Sequence, residues 1–243
     1  MQTKTIKILG LLTAILCSLG TVLANAEEIP IVNDDFQSGK KLWDWHGDVE
    51  GGELILTSLA ETQYAGSQIL LKPEVQIGST NENALKVHFV INSITAGADG
   101  TAEARLFLVP SPLSNPTFAD PSASPSALSL FVSANAAKGV LAISLFKKTN
   151  STEPGYGSKL YSATLPLDSF PLTVDWYLSQ NAYKLNLGKP AQTIDGSRQE
   201  AWELGETWNG ELRFVMRIVN ITAGAKSELR LSDFALSSGA IPE

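Results

Sequence analysis

The chain has 243 residues, a formal net charge of −7 at pH 7 and a single cysteine. An acidic composition without a run of Lys and Arg argues against a nucleic-acid partner, because phosphate binding requires clustered positive side chains. The cysteine, Cys17, lies in a segment that we expect to be removed, so the sequence predicts neither a disulfide nor thiolate chemistry in the mature protein.

Residues 1–26 have the three parts of a secretory signal peptide. Lys4 and Lys7 precede the apolar run ILGLLTAILCSLGTVL, and the small-x-small sequence ANA follows it. The run is short for a membrane-spanning helix, which favours a cleaved signal peptide. The alternative reading is an uncleaved membrane anchor. We expect a secreted chain, periplasmic or extracellular, in which residues 27–243 form one domain without a transmembrane segment.

The mature chain has the alternating pattern of short β-strands separated by Gly, Asn, Ser and Pro. Three segments, 85–92, 172–179 and 212–218, place apolar side chains on one face and polar side chains on the other. Further strands are predicted at 29–36, 53–58, 67–72, 102–109, 127–133, 139–147, 158–165, 182–187 and 227–236. Strands with one apolar face each must bury those faces against one another, so the sequence predicts an antiparallel two-sheet β-sandwich.

Three connections stand out along the chain. The sequence YLSQNAYKLNL predicts a tight hairpin that turns at Gln180-Asn181. The segment 109–127 contains five prolines, which cannot donate regular ladder hydrogen bonds, and it is predicted to be a long loop. The pentapeptide ITAGA occurs at 94–98 and again at 221–225, which indicates either two hairpins with the same loop type or an internal duplication.

The opening DDFQSGKKLWDW…GGELILTS resembles the start of concanavalin A-like (laminin-G-type) lectin and glucanase sandwiches, and the closing ELRLSDFALSS is similar to their last strand. The opening also looks like that of some jelly-roll carbohydrate-binding modules. The resemblance implies a concanavalin A-like jelly roll whose members often bind glycans, sometimes hold a structural calcium ion and occasionally hydrolyse glycans. It carries no functional residues over, because the glucanase carboxylate pattern E-x-D-x-x-E does not occur here.

Catalysis is not predicted. Glycoside hydrolysis needs two carboxylates about 5–10 Å apart, whereas Glu103, Asp175 and Glu228 are isolated in the sequence. The chain has two histidines, His46 and His88, but it lacks the Gly-x-Ser-x-Gly nucleophile elbow with which a histidine would act in a catalytic triad. We therefore expect no enzyme activity and no catalytic residue.

The sequence predicts no cofactor, with one exception: three aspartates could bind a structural calcium ion. Asp34 and Asp35 lie near the first strand and Asp233 near the last, and terminal strands of jelly rolls often pair. Calcium takes six to eight oxygen ligands, which carboxylates and carbonyls supply. The alternative is that these aspartates are solvated or cap turns.

Sugar recognition combines an aromatic ring with planar polar groups. Alternation places His88, Asp175 and Tyr177 on outward faces, together with Arg213 and Arg217. A solvated sheet face carries such residues in any case, so the alternative is a surface without a ligand.

The sequence WDW raises a separate question about its two indoles. We expect Trp45 in the core and Trp43 partly exposed at an edge of the sandwich, which makes Trp43 a further ligand candidate.

These features favour a secreted, non-catalytic binding module, with carbohydrate as the ligand class that the resemblance implies. The expected partner is a polysaccharide or a cell-surface glycan. Two alternatives remain: a glycoside hydrolase or lyase that acts on polysaccharide, and a structural or interaction protein without a small-molecule ligand.

Overall fold

The computed structural model describes residues 28–58, 60–97, 99–111, 127–148, 153–189, 192–201 and 210–242, without the side chains of Trp45, Lys189 and 192–201. In this part of the chain fifteen β-strands form two antiparallel sheets, and two short 3₁₀ turns are the helical elements. The predicted signal peptide and most of the proline-rich loop lie outside the described residues.

The eight-stranded sheet has the strand order β13-β12-β11-β6-β15-β4-β3, with β1 paired to the second half of β15. Its strands are β1 (Ile29–Asp34), β3 (Asp48–Glu50), β4 (Glu53–Thr57), β6 (Ala84–Thr95), β11 (Leu172–Leu178), β12 (Ala182–Lys189), β13 (Gln192–Ala201) and β15 (Glu228–Gly239). The β3–β4 hairpin turns at Gly51 and Gly52, whose φ angles of 62° and 80° suit a tight two-residue turn.

The seven-stranded sheet has the strand order β10-β9-β8-β7-β14-β5-β2. Its strands are β2 (Trp43–Trp45), β5 (Gly66–Leu71), β7 (Thr101–Pro110), β8 (Ala127–Asn135), β9 (Val140–Lys148), β10 (Ser158–Pro166) and β14 (Leu212–Asn220). The 3₁₀ turns lie at Asn81–Asn83 and Leu167–Ser169.

The core lies between the sheets and is built by the alternation that the sequence predicted. The apolar positions predicted to face inward in β6, β11 and β14 do so and are at most 1% exposed: Leu85, Val87, Phe89, Ile91, Leu172, Val174, Trp176, Leu178, Leu212, Phe214, Met216 and Ile218. Their polar neighbours face outward. The sandwich is confirmed, and its principal stabilisation is the burial of these two inner faces.

The seven-stranded sheet departs from the expectation of one apolar face per strand. Phe107 and Val109 of β7 are fully buried on its outer face, where they pack with Phe131 of β8. Tyr156, in the β9–β10 connection, packs edge-on against Phe131 with ring centroids 4.7 Å apart. Arg105 adds its guanidinium 5.0 Å from the Phe131 ring and donates to the Tyr156 hydroxyl at 2.7 Å.

A bulge in β15 changes which residues face outward. The register between β15 and β6 shifts between Ser232 and Ala235, and Asp233 has a φ of 53°. Before the bulge the odd position Leu231 faces the core, and after it the even position Phe234 does. Ala235 and Ser237 are thereby turned to the outer face of the eight-stranded sheet.

Twelve predicted strands match observed strands to within a few residues, and the hairpin at Gln180-Asn181 is confirmed by the β11–β12 pairing. The prediction missed β2, β3 and β13. The expectation that the two ITAGA segments close hairpins is wrong. Each connects one sheet to the other, from β6 to β7 and from β14 to β15. Among the described residues no helix has the length and apolar character needed to cross a membrane.

Candidate functional site

The outer face of the eight-stranded sheet brings together three of the predicted ligand residues. The strand registers align Asn33, Ala235, His88, Asp175 and Asn186 in one row across β1, β15, β6, β11 and β12. A second row runs parallel to it and contains Pro30, Ser237, Lys86, Tyr177 and Lys184.

A depression of about 380 Å³ lies over the β1 side of these rows. We call it the His88 groove, and its polar and small lining residues are Glu28, Asn33, Lys86, His88, Ala235 and Ser237. Ala235 lies in register between two longer polar residues, Asn33 and His88, and all three line the depression.

His88 and Asp175 form the best-defined polar contact beside the groove. Nδ1 of His88 lies 2.8 Å from Oδ1 of Asp175, and both side chains are about a quarter exposed. Burial acts to raise the pKa of the Asp175 carboxyl. The hydrogen bond and charge of His88, followed by those of Lys86, lower the pKa by more than burial raises it, so it lies below its usual value. An ionised carboxylate only accepts hydrogen bonds, so the Nδ1–H of His88 donates to Asp175, and Nε2 is the ring nitrogen on the far side of this contact.

Lys86 links the two carboxylates at the groove. Its Nζ donates to Oε1 of Glu28 at 2.9 Å and lies 3.6 Å from Oδ1 of Asp175. Burial acts to lower the pKa of this ammonium, yet the hydrogen bond to Glu28 and the nearby negative charges outweigh it and raise the pKa. Ser237 donates to the second oxygen of Glu28 at 3.3 Å. The groove therefore holds fixed groups of both signs in one network.

Tyr177 lies on the outer face, as predicted, but the expectation that its ring is available to a ligand is wrong. It is 7% exposed and packs with Ala84, Ala182 and Ile241 of the C-terminal segment. Burial, followed by the charge of Asp175, raises the pKa of its hydroxyl.

Trp43 is the clearest correction to the predicted ligand set. The indole is 2% exposed and packs edge-on against Phe234, with ring centroids 4.9 Å apart. Its Nε1–H donates to Oδ2 of Asp34 at 2.9 Å, a contact that joins β2 of one sheet to β1 of the other. Trp43 is therefore a core residue that faces no ligand, and the side chain of Trp45 lies outside the described part.

Arg213 and Arg217 lie on the outer face of the opposite sheet, on β14, and so do not join the His88 groove. Arg213 donates to the carbonyl oxygen of Lys72 at 2.7 Å and forms an ion pair with Glu74 at 2.5 Å. Arg217 is half-buried in register with Gln68 of β5 and with β7.

The first and last strands do pair, as predicted, but the aspartates considered for calcium have other partners, and Asp233 accepts from the Ser232 hydroxyl at 3.3 Å. Asp34 is buried, and its Oδ1 accepts the backbone N–H of Phe36 at 2.9 Å while Oδ2 accepts the indole of Trp43. Asp35 accepts the N–H of Gln37 in an exposed turn, and Asp233 lies in the bulge. Within the described ranges no group of three or more His, Cys, Asp or Glu side chains is placed to hold a metal ion.

The carboxylates weighed for hydrolysis are engaged in ion pairs. Glu103 contacts Arg105 and Glu228 contacts Arg230, each with Nε and Oε1 2.6 Å apart. Glu74 and Glu211 instead share a hydrogen bond, which lowers the pKa of Glu74 and raises that of Glu211. Two carboxyl groups in hydrogen-bond contact are closer than the 5 Å or more that glycosidase pairs need.

No protein-family model matches the chain, and no curated protein matches it in sequence. Solved structures do resemble it. A lectin from Bauhinia forficata, solved in complex with GalNAc, superposes with a TM-score of 0.60 at 12% identity, over 88% of this chain and 99% of the lectin. The CBM2 module of the evolved Dit protein of Lactobacillus casei BL23 phage J-1 also gives a TM-score of 0.60, at 10% identity over 90% of this chain and 99% of the module.

A point mutant of SCLam, a non-specific endo-β-1,3(4)-glucanase from family GH16, superposes with a TM-score of 0.56 at 8% identity, over 87% of this chain and 95% of the mutant enzyme. At such identities the comparisons define the fold alone. The chain is a concanavalin A-like jelly-roll β-sandwich, as the resemblance of its opening and closing strands predicted.

Proposed function

We propose that this chain is a secreted, non-catalytic glycan-binding protein and that the His88 groove holds the sugar. The observation that carries the proposal is the depression over the small side chain of Ala235, which Asn33 and His88 flank in one register row, with Asp175 on the other side of His88. The signal-like segment at 1–26 supports the secreted location.

The groove offers the groups that sugar hydroxyls pair with. Glu28 accepts hydrogen bonds, Lys86 donates them, and the amide of Asn33 does both. The imidazole of His88 adds a ring nitrogen, and Asp175 lies behind it. The network of ion pairs holds Glu28, Lys86 and His88 in place before a ligand arrives, which lowers the entropy lost on binding. A volume of about 380 Å³ lies within the usual range for small-molecule sites.

A glycan array probed with the wild-type protein and with two variants tests the proposal. His88→Ala removes one donor–acceptor group of the groove, and we expect roughly tenfold weaker binding to the glycans that the wild type selects, since one hydrogen bond to a partly charged network is lost. Arg217→Ala changes the outer face of the other sheet and serves as the matched control. The proposal fails if the wild type binds no glycan, or if Arg217→Ala loses binding while His88→Ala keeps it.

The second candidate function is a polysaccharide lyase, and the contact between His88 and Asp175 favours it. A carboxylate that orients Nδ1–H leaves Nε2 as a general base. In a uronate-containing chain such a base would take the C5 proton next to the carboxylate, and the electron pair of that C–H bond would form a C4–C5 double bond. The bond between C4 and the glycosidic oxygen would break, and the leaving oxygen would take up a proton from the imidazolium or from water. Release of unsaturated, ultraviolet-absorbing products by the wild type, abolished in His88→Ala, would establish this activity in place of simple binding.

A further inference from the structure

The His88 groove carries more negative than positive charge. Among its described lining residues Lys86 is the only lysine or arginine, and Glu28 is the only acidic one. The carboxylate of Asp175 lies behind His88, 3.6 Å from the ammonium of Lys86. The pKa of Asp175 is lowered and that of Lys86 is raised, so both groups are charged at neutral pH. Two carboxylates therefore surround one ammonium, in a chain whose formal net charge is already −7.

The negative charge at the groove is also the more accessible one. The side chain of Glu28 is 50% exposed, whereas that of Lys86, which Glu28 and Asp175 flank, is 19% exposed. The two oxygens of Glu28 accept one hydrogen bond each, from Lys86 at 2.9 Å and from Ser237 at 3.3 Å. Because each carboxylate oxygen has two lone pairs, Glu28 retains the capacity to accept from a ligand. A sugar in the groove therefore meets an exposed carboxylate beside an ammonium that already has its counter-charges.

The position of Glu28 is fixed by the strand that it crosses. Glu28 precedes β1, and its side chain lies over the end of β15, where a Cβ added to Gly239 would be 3.2 Å from its Cγ. The glycine thus leaves the room that Glu28 needs to reach Lys86. The carboxylate is held at the margin of the groove before any ligand binds.

We propose that the His88 groove selects a hexosamine with a free, protonated amino group, and that Glu28 accepts the hydrogen bond of that ammonium. The inference rests on the proposed glycan-binding function and names the class of sugar for that site. A hydrogen bond between two charged groups is roughly twice as strong as one between neutral groups. An N-acetyl group removes the charge of the ligand, and a uronate brings a carboxylate that Glu28 and Asp175 repel.

Titration calorimetry of the full mature chain tests this selection with three oligosaccharides of equal length. They are the β-1,4-linked tetramers of glucosamine and of N-acetylglucosamine, and tetragalacturonate, in neutral buffer of low ionic strength. The wild type should bind the glucosamine tetramer about tenfold more tightly than the N-acetylated tetramer, a difference that one charge-assisted hydrogen bond supplies. It should not bind tetragalacturonate, and added salt should reduce the preference for glucosamine.

Glu28→Gln removes the charge and keeps the shape of the side chain. Because Glu28 lies outside the strands, the variant should fold as the wild type does. It should lose the about tenfold preference for glucosamine and leave the affinity for the N-acetylated tetramer unchanged. Glu50→Gln, at an exposed glutamate of the edge strand β3, is the matched control and should retain the preference.

The outcomes separate this inference from the function on which it rests. Equal affinities for the two glucosamine-derived tetramers, or a preference that Glu28→Gln retains, would overturn the inference and leave glycan binding at the groove standing. Tighter binding of tetragalacturonate would overturn it and favour the lyase. Binding of none of the three tetramers would also overturn it, and the proposed function would fail with it only if the wild type bound no glycan on the array.

Discussion

The buried carboxylate of Asp34 is predicted to hold the two sheets together at the start of the chain. It accepts two hydrogen bonds, from the Phe36 amide and from the Trp43 indole, both 2.9 Å long. Asp34→Ala leaves two buried donors unsatisfied, and each costs about 1–3 kcal/mol. We therefore expect the free energy of unfolding to fall by roughly 2–6 kcal/mol, and Tm to fall by about 2–4 °C for each kcal/mol in a domain of this size.

Asp35→Ala is the matched control, because Asp35 makes the same contact to the backbone two residues ahead but in solvent. Its loss should change stability by about 0.5 kcal/mol or less. Urea unfolding followed by tryptophan fluorescence, with thermal melts on the same samples, measures both variants. Equal effects of Asp34→Ala and Asp35→Ala would refute the reasoning that burial of the Trp43–Asp34 contact determines its contribution.

Three further predictions concern Asp175, calcium and the two sheet-to-sheet connections. The pKa of Asp175 is lowered in the folded state, so its contribution to stability is present above the ordinary aspartate pKa of about 3.9 and is lost as the pH falls through the lower, folded-state pKa. The Tm difference between wild type and Asp175→Asn should therefore shrink on acidification below about pH 4, and a constant difference would contradict the contact with His88. Excess chelator should leave the thermal melt unchanged, and a fall in Tm that calcium reverses would show a site that the described residues do not account for. Gly97→Ala should lower the free energy of unfolding, measured in urea, by about 1–3 kcal/mol, because the added Cβ clashes with Ala225. Gly210→Ala is the control and should not lower it, since the space around its Cβ is open. Equal stabilities of the two variants would contradict the close packing of the two sheet-to-sheet connections.

The sequence predicts the long strands well because their alternation is uninterrupted. In β6 and β11 the alternating positions from Leu85 to Ile91 and from Leu172 to Leu178 are buried, and His88 and Asp175 between them face outward, as the alternation predicts. Their meeting could not be predicted, since 87 positions separate them and alternation does not specify strand order. The groove also depends on the β15 bulge, which turns Ala235 and Ser237 outward. In the sequence the bulge shows as a spacing of three residues, instead of two, between the buried positions Leu231 and Phe234.

Non-local contacts account for the predictions that were wrong. Tyr177 faces outward by alternation, but Ile241 covers it because the C-terminal segment returns across the sheet and the Ile241 N–H donates to the carbonyl oxygen of Asn81 at 2.7 Å. Trp43 is buried because Asp34, nine residues earlier and on the other sheet, accepts its indole N–H. In both cases the sequence pattern predicts the face of a strand and leaves open which distant segment covers it.

The central claim is that the outer face of the eight-stranded sheet binds a sugar at the His88 groove. A crystal structure of the protein soaked with the glycan that it selects on the array tests this claim most directly. The expected result is a sugar ring over Ala235, with hydrogen bonds to His88 and Asn33. A glycan bound on the outer face of the seven-stranded sheet, beside Arg217, with the groove empty would contradict it.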